Sequence, residues 1–236
     1  MAEHTKVELS GTTSPRPDEG AAYRHGPALE SGFPGRVVTG TCMVVAPVLA
    51  VIGTVLGIGT YHAKGVDFVS GMVAHPHLGN VAMQTAEAAM VLMIIAVAGL
   101  AGMVAVTRPG WGRTAGVLTI IGLCGPISFE SLYWGAWHIT DTPAHRAAAA
   151  LMMDRAQIIP RTVMNVTGPA LVIGFVLLAI ATAKAGVLDR PRAVSLGITA
   201  LIPVGFITGH LAISAVGFLG TAVALVPLGV GLLRRR

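Results

Sequence analysis

Charge is scarce in this chain. Asp, Glu, Lys and Arg together make up 11% of its 236 residues, less than half of the roughly 25% found in an ordinary soluble domain. So little charge does not cover a water-facing surface, which excludes a soluble globular enzyme, a nucleic-acid-binding module and a disordered protein. Aromatic residues are scarce too, at 5%, thin material for a pocket that cages a cationic intermediate. Cysteine is nearly absent. Cys42 and Cys124 form neither a CxxC pair nor a disulfide framework. There is no GxxxxGK[ST], no GxGxxG behind a strand, no HExxH and no Ser nucleophile elbow, so nucleotide and Ser-hydrolase chemistry have no motif to stand on.

What the chain has in abundance is apolar length. Hydrophobic residues make up 53% of it, and the mean hydropathy is +0.73. Residues 1–36 are different, rich in Gly, Pro, Ser, Thr and charge, as in Ser14-Pro15-Arg16-Pro17-Asp18-Glu19. They bury too little to offset ordering entropy, and a disordered cytoplasmic tail is expected there. Residues 37–236 form the transmembrane domain. A spanning helix needs about 20 mostly apolar residues. Six runs are candidates: 37–60, 80–107, 114–139, 162–185, 193–209 and 211–233, the fifth being short, with a re-entrant segment as its alternative. The last two are separated by a turn at Thr208-Gly209-His210. Backbone groups cannot go unpaired in lipid, and long runs without period-2 alternation select helices over a barrel. The expected fold class is an all-α, polytopic membrane helix bundle.

Basic residues set the expected orientation. With the N-terminus inside, twelve of the sixteen Lys and Arg are cytoplasmic, among them Arg36, Arg108, Arg113, Lys184 and Arg234–Arg236; Lys64, Arg146, Arg155 and Arg161 lie outside. Both termini then face the cytoplasm, and the expected location is the cell membrane, spanned several times. Between runs three and four, Thr142-Pro143 reads as an N-cap followed by Pro at the first helical position. It opens a short helix over 144–159 with Ala148, Leu151, Met152 and Ile159 on its apolar side. The half-apolar loop at Gly65–Phe68 is expected along the outer interface.

Five runs carry an internal proline (Pro47, Pro126, Pro169, Pro203 and Pro227), and Gly53 and Gly57 make a GxxxG on the first. Prolines kink helices and free carbonyls that neighbours or water must satisfy. Kinked bundles hold cavities.

The placement of the polar residues is the most informative feature. His62, His75, His77, His138, His145 and His210 all fall at the outer side, and only two carboxylates, Glu87 and Glu130, sit inside spans. Each Glu lies eight residues, ~12 Å, inward of its outer helix end. On the second run Asn80, Gln84 and Glu87 follow i, i+4, i+7; on the third, Glu130, Trp134 and Trp137 do the same. A charged acid at the centre of a spanning helix costs about 2.5–3.5 kcal/mol, so each Glu needs a partner, a proton or a wet cavity.

Several chemistries fit. His75, His77, His138 and His210 are imidazoles from different runs that suit a transition metal or haem, giving a redox-type membrane protein. Glu87 and Glu130 suit proton donation and acceptance to a lipidic or isoprenoid substrate, with Asn80, Gln84, Trp134 and Trp137 lining its site. The same carboxyls suit a proton-coupled transporter. A purely structural role, as a subunit of a membrane assembly, needs no chemistry from them. The bilayer and a lipidic small molecule are the expected partners; nucleic acid is not.

Overall fold

A computed structural model describes residues 35–58, 65–140, 142–156, 158–208 and 210–234, with side chains for all except 129, 130, 132, 133, 137, 156, 158–161, 164 and 207. The tail expected over 1–36 lies outside these residues apart from Gly35 and Arg36. In chain order the elements are α1 (Arg36–Gly57), α2 (Gly65–Ala74), α3 (Pro76–Thr107), α4 (Pro109–Trp137), α5 (Pro143–Ala156), α6 (Ile158–Lys184), α7 (Arg190–Ile198), a 3-10 turn (Thr199–Leu201), α8 (Ile202–Thr208) and α9 (Leu211–Arg234). No strand occurs among the described residues. Four helices among them are long and apolar enough to cross a membrane: α1, α3, the Asn165–Lys184 part of α6, and α9.

Proline marks several helix starts. Pro76 and Pro109 sit in the first turns of α3 and α4, where the missing N–H has no helical acceptor in any case. Both helices therefore begin four or five residues earlier than their apolar runs. Thr142 caps α5 as expected, its Oγ1 accepting from His145 N–H at 3.2 Å. Asp189 caps α7, accepting from Arg192 N–H at 3.2 Å.

The long elements stand in a closed ring. α1 packs on α3, α3 on α4, α4 on α6, α6 on α7 and the 3-10 turn, these on α9, and α9 back on α1. Each of the six apolar runs corresponds to one unit of that ring, the fifth being the broken series α7, 3-10 turn and α8. The break has a cause. Pro203 offers no N–H, and Ile202 N–H turns back to Thr199 O instead. Hydroxyls of α9 brace it: Ser214 Oγ donates to Ile202 O at 2.8 Å. Thr221 Oγ1 donates to Gly217 O at 3.1 Å, which leaves Thr199 as the donor in the buried 2.9 Å Thr199–Thr221 contact.

In lipid, helices associate through close packing rather than hydrophobic transfer, and small residues permit it here. A Cβ on Gly174 of α6 would lie 2.6 Å from Thr119 N of α4, and one on Gly229 of α9 would lie 2.6 Å from Gly40 O of α1. The ring is filled by Met90, Met93, Leu123, Leu171, Phe175 and Phe218.

A second, smaller core lies at the end of the ring where α3 begins and α4 finishes. α2 and α5 pair there, burying Phe68, Val69 and Met72 against Ala149, Ala150 and Met153, together with Met83 of α3 and Ala136 of α4. This corrects two expectations. The Gly65–Phe68 stretch opens a helix packed on α5, and the buried side of α5 is Ala149, Ala150 and Met153. Leu151 is 51% exposed and Ala148 is exposed. The close approach decides the face: Gly65 meets the Ala150 backbone so tightly that a Cβ would clash with it, so only the alanine side of α5 fits.

Alternation of direction separates charge between the two ends. One end carries Arg36, Arg108, Arg113, Lys184, Arg190, Arg192 and Arg234, with Asp189 as the one described carboxylate. The other carries Asp67, Asp154, Arg146 and Arg155 and five histidines, His75, His77, His138, His145 and His210.

Gly174→Leu is expected to destabilise the protein by about 1–3 kcal/mol through overpacking. Gly102→Leu, where a Cβ meets nothing within 4 Å, is expected to have no effect. Thermal unfolding of the two variants in detergent, followed by size-exclusion chromatography, checks the contrast.

Candidate functional site

The hairpin of α3 and α4 carries Glu87 and Glu130. Arg108 alone joins the helices: its N–H bonds to Val104 O at 2.8 Å, and its carbonyl accepts from Gly112 N–H at 3.0 Å. So short a turn leaves no freedom of register. Next to it the backbones nearly touch. A Cβ on Gly112 would lie 2.6 Å from Ala105 N, and one on Gly116 would lie 2.6 Å from Ala101 Cβ. The pairs 105/112 and 101/116 share one midpoint, between residues 108 and 109.

Counted outward from the same midpoint, Glu87 and Glu130 stand at equal residue distance from the turn. Glu87, Ile94, Ala101 and Ala105 recur at spacings of 7, 7 and 4, which keeps them on one side of α3. Glu130, Leu123, Gly116 and Gly112 recur identically along α4, with Pro126 between Leu123 and Glu130. The Glu130 and Trp137 side chains lie outside the described residues.

Depth follows from α1. Gly53 lies against Ala82 and Ala86, and Gly99 against Thr39, which sets Glu87 level with Ala50 and Val51. That is ~10 Å inside the outer end of α1 at 1.5 Å per residue. α1 has 22 residues, ~33 Å, close to the ~30 Å hydrocarbon thickness. Glu87 is half-buried and makes no hydrogen bond or ion pair among the described residues. Gln84, one turn outward, is exposed, and its Nε2 donates to Asn80 Oδ1 at 3.3 Å. Val91, one turn inward, is 51% exposed. A polar stripe therefore runs from the outer end of α3 down to Glu87 and is open at its side.

Above this level the α2–α5 cap closes over the seam through Met83 and the partly buried Trp134. Trp134 stacks on His138, with ring centroids 4.9 Å apart and planes 20° from parallel. His138 Nδ1 lies 2.9 Å from Trp134 O. A carbonyl only accepts, so Nδ1 carries the proton and Nε2 is the ring atom left for other partners. Trp134 Nε1 is buried without a partner.

The other proposed ligands do not converge. His75 caps α3, His77 lies in its first turn, His138 ends α4 and His210 precedes α9, all exposed. Among the described residues no three His, Cys, Asp or Glu side chains come together as a metal site. A small cavity of about 20 Å³, lined by Gly53, Thr54, Ala86, Met90, Phe206 and Leu211 among others, lies on the α1 side of α3. It has room for about one water and takes no part in the seam.

The helical residues around the seam were legible from their spacing. The cap was not, because α2 has no start signal comparable to Thr142-Pro143. The equal distance of the two Glu from Arg108-Pro109 is readable in the sequence. Compared with protein-family models, with curated proteins and with solved structures, the chain matches none.

The cap's hold on the seam is testable through Asp154, whose Oδ1 accepts from Gly65 N–H at 2.9 Å and so caps α2. Asp154→Ala is expected to cost about 1 kcal/mol locally. Hydrogen exchange should then quicken about fivefold in the first turn of α2, and stay unchanged in α9.

Proposed function

We propose that this multi-pass membrane protein spans the bilayer six times with both termini in the cytoplasm, and that its working site is the level Glu87–Glu130 pair in the α3–α4 seam. The basic end supports that orientation, since it gathers seven cations against one carboxylate. The pair acts as proton donor and acceptor toward a lipidic molecule that enters from the outer leaflet. One observation supports this reading: Gly112 and Gly116 pack on Ala105 and Ala101, a register that counts Glu87 and Glu130 equally far from the turn, while Gln84 and Val91 are exposed on either side of Glu87. In the proposed chemistry one carboxyl gives a proton to the bound molecule and the other takes one from it. The amides of Asn80 and Gln84 suit a polar headgroup and the apolar flank of α3 suits a chain. The proposal uses no metal or haem; the metal reading has no ligand set among the described residues to support it.

Dicyclohexylcarbodiimide, an apolar reagent that reacts with protonated carboxyls reached from lipid, tests the site. Protein in phosphatidylcholine vesicles should acquire an adduct on Glu87 or Glu130, located by peptide mass spectrometry. Glu87→Gln should change the labelling of Glu130 without lowering thermal stability. No adduct on either residue, or equal labelling by a water-soluble carbodiimide, would contradict the reading.

A further inference from the structure

The basic end carries a feature that charge counting alone does not explain. Lys184, the last residue of α6, places its Nζ 4.8 Å from the ring centroid of Trp111 on α4. A surface lysine ordinarily extends into water; this one is held against an indole that bridges two helices. Arg108, which joins α3 to α4 three residues before Trp111, is exposed.

The height of this cluster is fixed by packing. Thr39 lies against Gly99, so Arg36 at the end of α1 is level with residue 102 of α3. The hairpin register sets Trp111 level with residue 106. Trp111 and Lys184 therefore stand about four residues, ~6 Å, beyond the end of α1. The headgroup layer on each side of the hydrocarbon is ~5–8 Å deep. The cluster falls inside that layer, where indoles collect.

The chain then turns back. Gly186 adopts φ 68, a left-handed conformation that glycine takes without a Cβ clash, and Asp189 begins α7. Asp189 lies 3.7 Å from Arg192 Nε, so the one described carboxylate of this end is engaged on α7, away from Arg108, Trp111 and Lys184.

We propose that Arg108, Trp111 and Lys184 form a seat for the headgroup phosphate of an anionic phospholipid. The indole packs beside the glycerol and upper acyl carbons. The stacked ammonium and the guanidinium take the phosphate, the guanidinium by paired N–H donors. The seat rests on the chain being embedded in a bilayer, and neither on the carboxyl pair nor on which leaflet the basic end faces.

The test uses the full chain in detergent, with phosphatidylglycerol or phosphatidylcholine added. Native mass spectrometry counts retained lipid, and thermal unfolding reads the linked stabilisation. Phosphatidylglycerol is expected to be retained and to raise the unfolding temperature; phosphatidylcholine is expected to do neither. Arg108→Gln with Lys184→Gln should weaken phosphatidylglycerol binding about thirty-fold. Arg146→Gln with Arg155→Gln, at the other end, should leave it unchanged. Equal retention of the two lipids, full retention by the Arg108/Lys184 variant, or the same stabilisation from inorganic phosphate alone would overturn the proposal. If the double variant does not fold, Trp111→Leu supplies the comparison, with loss of the phosphatidylglycerol preference expected and its persistence contradictory.

Discussion

Everything in this structure turns on how closely α3 and α4 approach at their shared end. One residue, Arg108, connects them, and Gly112 and Gly116 bring α4 onto Ala105 and Ala101 with no space for another side-chain carbon. Two helices held that tightly at one end, 32 residues of α3 and 29 of α4, have their register set there. Glu87 and Glu130 stand at equal residue distance from that turn. The height of Trp111 relative to α1 follows from the same turn. Without the hydrophobic effect to drive helices together in lipid, steric fit at small residues fixes geometry that in a soluble protein a larger core would fix.

The fold was largely legible because the bilayer restricts the choices. Each apolar run from 37–60 to 211–233 corresponds to one unit of the ring. The boundaries moved where proline was undervalued: Pro76 and Pro109 begin helices that the apolar count starts later. The cap was less legible. Its helices are short, and α5 packs through alanines, so the bulkier Leu151 drew the expected face away from the buried side, while Met152 does pack on the cap's core. Apolarity does not rank faces when backbone approach, here Gly65 on Ala150, selects for small size.

The candidate site divides in the same way. The Asn80–Gln84–Glu87 stripe follows from helical spacing, and a hydrogen bond joins Gln84 to Asn80. The partnership of Glu87 with Glu130 needs tertiary register, which composition does not report. The histidines show the converse. Their common location at one end of the bundle was legible and holds for the five described there, yet a shared end is not a shared point. Imidazoles on separate helix termini, all exposed, differ physically from a ligand set held rigid by packing and second-shell hydrogen bonds. Sequence placed them in a layer, and ligation demands a locus.

The account stands on the pairing of residues 87 and 130 across the hairpin. Thiol cross-linking measures it directly, in membranes, with Cys42 and Cys124 replaced by Ala and Ser. Glu87→Cys combined with Glu130→Cys should be joined rapidly by a bifunctional reagent no longer than one helix diameter, ~10 Å. Ala88→Cys combined with Glu130→Cys, one position round the helix, should react far more slowly. Faster joining of the 88/130 pair, or no joining of 87/130 in the folded protein, would show that the acids do not face one another.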